Sequence, residues 1–221
     1  MRRSFVTFFM VLAIGGTIGS LAYPVFYSYP HRFDAVEAAI ADPGPVVSTP
    51  WGPLSNADRD LVVQVELDGL WEMSAGRQAI DRAPTKAVKE AGDQLVAGHT
   101  DLDKRVRTVA GDLAIVLPAQ PTAEQQAWLA RLTAAQDGEY RTLFANLLRE
   151  EHGRIFQQLA QVRSSTRNTL IRELATVANR TELGHISALE RTGYVDFDAV
   201  AQGATASPAA LPTVLPVPSS P

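Results

Sequence analysis

The chain has 221 residues, of which 46% are hydrophobic and 20% charged, and this balance excludes a wholly disordered protein. The formal net charge of −4 argues against a nucleic-acid partner, because phosphate binding needs a basic surface. The absence of cysteine excludes disulfides, zinc–thiolate sites and iron–sulfur clusters, so that any metal must be bound by His, Asp, Glu or Met. The length allows one ordinary domain with appendages.

Residues 1–27 are predicted to form a signal anchor or a signal peptide. Two arginines at positions 2 and 3 precede a run from Phe5 to Phe26 that contains no charged residue. As a helix this run would span about 33 Å, enough for a bilayer core. The arginines predict a cytoplasmic amino terminus, a single pass through the cell membrane and an extracytoplasmic remainder. The length of the run favours an uncleaved anchor, whereas cleavage after Ala22 would release a secreted protein.

Two further segments are rich in proline. Residues 28–53 contain five prolines and are predicted to be a linker, in which only Phe33 to Ala41 could form a short helix. Residues 198–221 are predicted to be a disordered tail, because the stretch from 201 onwards has five prolines, small residues and no charge. The folded domain is therefore expected between residues 54 and 197.

This central region is predicted to be entirely helical. Ser55 with Asp58, and Thr122 with Gln125, have the spacing of capping boxes that begin helices. The predicted helices run from about Ser55 to Arg82, Pro84 to Gly111, Thr122 through Trp128, Asp137 to Arg163 and Thr166 to Arg191. The four long helices have about 25–27 residues and a length of roughly 40 Å. Matched helices with short connections indicate an antiparallel four-helix bundle with a short extra helix.

Three histidines lie on the apolar stripes that should face the core. His99, His152 and His185 each occupy a position in the alternating three- and four-residue spacing of a different helix. Measured from the turns, Glu66 and His99 lie about 25 Å down the bundle, while His152 and His185 lie roughly 20 and 30 Å down. These heights allow the four side chains to meet near the middle of the bundle.

The residue types favour a site for one metal ion over a dinuclear iron site. A di-iron carboxylate centre needs two Glu-x-x-His motifs, and only Glu182 with His185 has that spacing, since Val96 stands in the corresponding place before His99. A mononuclear site would suit zinc, copper or iron. Its predicted ligands are Glu66, His99, His152 and His185, with Glu182 and Glu151 as alternates. The competing interpretation is a buried hydrogen-bond network, or isolated core histidines, without metal.

Several short motifs resemble a bacterial family called domain of unknown function 4142. They are Leu67–Met73, Gly98–Leu102, Glu151–Gly153, Thr166–Asn168 and Leu189–Gly193. The resemblance covers residues 54–197 and implies a ferritin-like fold with histidines at positions 99, 152 and 185. It implies no activity, since the family name records none.

We find no pattern typical of a catalytic site, neither a nucleophile near a histidine nor a glycine-rich phosphate loop. The favoured interpretation is a membrane-anchored, extracytoplasmic binding or structural module. The alternative is a metal-binding redox or stress-protection protein that uses the histidines. The protein partner is left open.

Overall fold

The computed structural model describes residues 46–82 and 85–205, with side chains to residue 202. The predicted membrane segment, most of the linker, Pro84 and the tail beyond residue 205 lie outside these residues. Six helices occupy the part that is described. They are α1 (Asn56–Arg82), α2 (Lys86–Asp112), α3 (Ala123–Ala134), α4 (Asp137–Ser165), α5 (Thr169–Glu190) and α6 (Phe197–Thr205).

The helix starts follow from local capping chemistry. At α1, the backbone N–H of Ser55 donates to Asp58 Oδ2 at 2.9 Å, and the backbone N–H of Asp58 donates to the Ser55 hydroxyl at 3.2 Å. At α3, Thr122 and Gln125 form the reciprocal pair. Both capping boxes were predicted. They satisfy N–H groups that would otherwise lack partners at the first turn.

The four long helices pack as two hairpins. α1 packs on α2 and α4 packs on α5, while α2 also contacts α5 and α1 contacts α4. At one point α1 and α2 are so close that a Cβ on Gly92 would lie 2.7 Å from the carbonyl oxygen of Gly76. The expected helical bundle is thus confirmed. Among the described residues, no helix combines the length and apolar character needed to cross a bilayer.

The bundle has two ends and two apolar cores. We call lower the end that contains the connections 46–55, 113–122 and 166–168, and upper the opposite end. The lower core is centred on Leu54, Val62, Val106, Leu159, Ile171 and Leu174. The upper core is centred on Trp71, Leu95, Tyr140, Phe144, Leu148 and Leu189. The four leucines that the stripes placed inside, at positions 95, 102, 148 and 174, are all buried.

The domain extends beyond both predicted boundaries. Before α1, Val47 pairs with Leu54, which is fully buried, and the Asn168 side chain donates to Thr49 Oγ1 and to the Gly52 carbonyl. The end of the predicted linker therefore packs on the bundle. After α5, the Asp196 carboxylate accepts two backbone N–H groups and caps α6 where a disordered tail was expected. Capping decides this point, because the composition alone gives no reason for a helix there.

Candidate metal centre

Four side chains from four helices converge between the two cores. They are Glu72 of α1, His99 of α2, His152 of α4 and His185 of α5. Each offers one ligand atom, and these atoms all lie within 4.8 Å of one another. All four residues are buried, with at most 3% of any of them exposed. The imidazole ring centroids are 4.8 to 6.1 Å apart, so the structure brings the three histidines together.

Backbone carbonyls orient two of the imidazoles. His152 Nδ1 donates to the carbonyl oxygen of Leu148 at 2.7 Å, and this contact turns Nε2 towards the centre. His185 Nε2 donates to the carbonyl oxygen of Gln94 at 3.2 Å, and Nδ1 then faces His152 Nε2 at 3.1 Å. Carbonyl partners of this kind select the tautomer and the ring orientation of metal-binding histidines.

The Glu72 carboxylate contacts two of the three imidazoles. Its Oε2 lies 2.7 Å from His99 Nε2 and 3.0 Å from His152 Nε2. Burial by itself raises the pKa of Glu72, but the electrostatic attraction and hydrogen bonds of His152 and His99 outweigh burial and hold that pKa well below its ordinary value. Glu72 is therefore an anion inside the bundle.

The pKa values of His152 and His185 shift in opposite directions. Burial disfavours the charged form of His152, yet Glu72 and Glu182 raise its pKa to about 9. Burial, together with repulsion from His99 and His152, lowers the pKa of His185 to about 2. These shifts favour a charged His152 beside the Glu72 carboxylate and a neutral His185.

Several polar atoms at the centre lack a hydrogen-bond partner among the described residues. They are Glu72 Oε1, His99 Nδ1 and Glu182 Oε2, all buried. An unpartnered buried polar atom is costly, and each such atom calls for an explanation. The side chains present here supply imidazole nitrogens and a carboxylate, the donor set of transition-metal sites.

Glu66 does not join the histidines as predicted. Its carboxylate accepts from Arg107 Nη2 at 2.8 Å, further towards the lower end. The prediction compared only the heights of the α-carbons. Side chains lean towards the amino terminus of their own helix, so in an antiparallel pair the α1 residue that meets His99 lies nearer the hairpin turn than height alone suggests. That residue is Glu72, which the sequence analysis did not include.

The two alternate ligands, Glu182 and Glu151, differ in their distance from the histidines. Glu182 Oε2 lies 3.4 Å from His152 Nε2, at the edge of the centre. Glu151 instead pairs with Arg154, three residues further along α4. Successive helical residues point about 100° apart, so the position of His152 directs Glu151 away from the histidines.

Gly98 makes room for His185. A Cβ at position 98 would lie 2.8 Å from His185 Cε1, closer still to Nε2, and 2.9 Å from Thr181 Cγ2. The missing side chain lets the imidazole approach α2 closely enough to reach the Gln94 carbonyl. The sequence analysis assigned no role to Gly98 or Gln94, since only the packing of α5 on α2 brings them to the centre.

One known family matches most of the described domain. A family model described as a domain of unknown function, DUF4142, matches residues 47–191. The chain belongs to this family. The match begins at the segment that packs against α5 and ends just after α5, so it includes all four converging residues. No curated protein and no solved structure matches the chain.

Proposed function

We propose that this protein is a binding and structural module whose bundle holds one transition-metal ion between Glu72, His99, His152 and His185. The observation that carries this proposal is the buried convergence of three imidazoles and one carboxylate within 4.8 Å. In a tetrahedral zinc site, atoms about 2 Å from the ion lie about 3.3 Å from one another. The hydrogen-bonded contacts in the centre, from 2.7 to 3.1 Å, are already close to that spacing.

The centre fits a structural role better than a catalytic one. Four protein donors complete a tetrahedral shell, whereas catalytic zinc sites use three and leave a position open. Two grooves on the described surface lie elsewhere. One of about 550 Å³ is lined by residues of α2 and α5, and another of about 770 Å³ by residues of α3 and α4 with their connection. Neither includes a residue of the centre.

Zinc, copper and iron all suit these donors, and binding requires neutral imidazoles and an ionised carboxylate. Metal binding should therefore weaken as the solution is made acidic.

The predicted anchor and the ferritin-like fold are also part of the proposal. The charge-free run from Phe5 to Phe26 supports a single membrane pass with the bundle outside the cytoplasm.

A second candidate is a buried hydrogen-bond network without metal. It is favoured by the contacts of Glu72 with His99 and His152, which already satisfy one carboxylate oxygen. The two candidates differ in their response to a chelator. Protein purified without a histidine tag should retain about one metal ion per chain in elemental analysis, and removing that ion should lower the melting temperature. A metal-free protein whose melting curve is unchanged by both zinc and chelator would exclude the metal site and support the hydrogen-bond network.

A further inference from the structure

The lower end of the bundle exposes apolar side chains. Val116 is 90% exposed, and Val46 and Val47 are 40% and 48% exposed. All three lie in connections whose neighbouring residues pack on the lower core. Exposed valines at one end of a helical bundle point to a surface that a partner covers.

The two connections that carry these valines are themselves uncharged. Neither 46–57 nor 113–123 contains a charged residue. Trp51 is half-buried at this end, and Ile115 and Leu117 pack on the lower core, which holds the loop around Val116 in place. The exposed charges of this end lie on the adjoining helix turns and on one connection, and they include Asp60, Asp112, Arg163 and Arg167. Apolar loop tips with an amphipathic tryptophan are typical of surfaces that meet the interface of a bilayer.

The chain itself leads from this end to the proposed membrane segment. Val46 is preceded by residues 27–45, which follow the uncharged run from Phe5 to Phe26. We propose that the lower end lies against the lipid bilayer, with Val116 and Val47 in the headgroup region, and this inference rests on the proposed anchor. The bundle would then stand on the membrane with the metal centre above the lower core.

The intervening residues do not force this contact. At about 3.3 Å or more per residue, the nineteen residues 27–45 could reach roughly 60 Å when extended. Contact between the apolar surface and lipid would hold the lower end at the membrane. A weak contact is sufficient, because the anchored segment 27–45 keeps the local concentration of lipid high.

The absence of cysteine makes the test direct. The full chain carrying Val116→Cys would be labelled with an environment-sensitive fluorophore and reconstituted in phosphatidylcholine–phosphatidylglycerol vesicles that contain headgroup-nitroxide lipid. The matched control is Glu139→Cys, an exposed position in the first turn of α4 at the upper end. We expect the label at 116 to be quenched at least about twofold more strongly than the label at 139.

A second variant pair tests the valine itself. A label at Ala114→Cys, an exposed position two residues before Val116 and just after α2, should also be quenched, and adding Val116→Asp should reduce that quenching. Equal quenching at 116 and 139 in chains that float with the vesicles would overturn the contact while leaving the anchor intact. Chains that fail to float would overturn the anchor and the contact together. A spectral shift at 116 that depends on protein concentration and not on nitroxide lipid would assign the surface to a second copy of the chain.

Discussion

The two apolar cores and the polar layer between them are held together differently. In the lower and upper cores, side chains such as Val106 and Phe144 gain stability from removal of apolar area, which has no preferred direction. In the layer between them, each nitrogen and oxygen needs a partner at a suitable distance and angle. The cores therefore specify the bundle, whereas the layer specifies which side chains meet in it.

The largest effect should come from an apolar core. Phe144 is fully buried in the upper core, and Phe144→Ala should lower the free energy of unfolding by about 3–5 kcal/mol, through lost burial and a residual cavity. Urea unfolding with and without zinc would measure this cost. Lys104→Ala, at an exposed position, is the control and should stay within about 0.5 kcal/mol. Similar costs for the two variants would contradict the assigned helix faces.

The polar layer should respond to metal where the cores do not. At a free zinc concentration one hundred times the Kd, binding should stabilise the folded protein by about 2.7 kcal/mol. His152→Ala should abolish this increment, because it removes a donor. Phe144→Ala should retain it, since a distant core change leaves the donors in place. Loss of the increment in both variants would show that the two regions are not independent.

A smaller effect is expected from a substitution at a residue that positions a ligand without binding the metal itself. Gly98→Ala introduces a methyl group against His185 and should weaken zinc binding by about 10- to 100-fold, the usual effect of disturbing a ligand's supporting contacts. The matched control is Gly184→Ala, on α5 beside His185, where a Cβ meets nothing within 4 Å. Competition with a chromophoric chelator would measure both affinities, and circular dichroism would report retention of the fold. Equal affinities in the two variants would exclude this role for Gly98.

The smallest effect is expected at the glutamate that does not reach the centre. Glu66→Gln should leave zinc affinity unchanged, because its carboxylate pairs with Arg107. The loss of that pair should cost at most about 1 kcal/mol, since Arg107 is more than half exposed to solvent. The same titration applied to Glu72→Gln should show weaker binding. A weakened Glu66→Gln would place the metal nearer the lower end than we propose.

Helix positions and burial could be predicted closely. The capping boxes at Ser55 and Thr122 and the apolar stripes are local patterns, and a stripe marks the buried face whichever neighbour covers it. The helix Phe197–Thr205 was not predicted, although its cap, the Asp196 carboxylate, is also a local pattern. What the sequence could not give is its contact with α4, where the Asp196 backbone N–H donates to Asn146 Oδ1 fifty positions away.

By itself, the sequence determined that this chain is a helical bundle, that three histidines face its interior and that the chain resembles DUF4142. The first two properties follow from periodicity and from local backbone chemistry, and the resemblance follows from the short motifs. The tertiary structure decided that Glu72 and not Glu66 completes the group, and that Gly98 and the Gln94 carbonyl position His185. These pairings depend on the offset between packed helices and on the lean of each side chain, and both are set by how the cores pack.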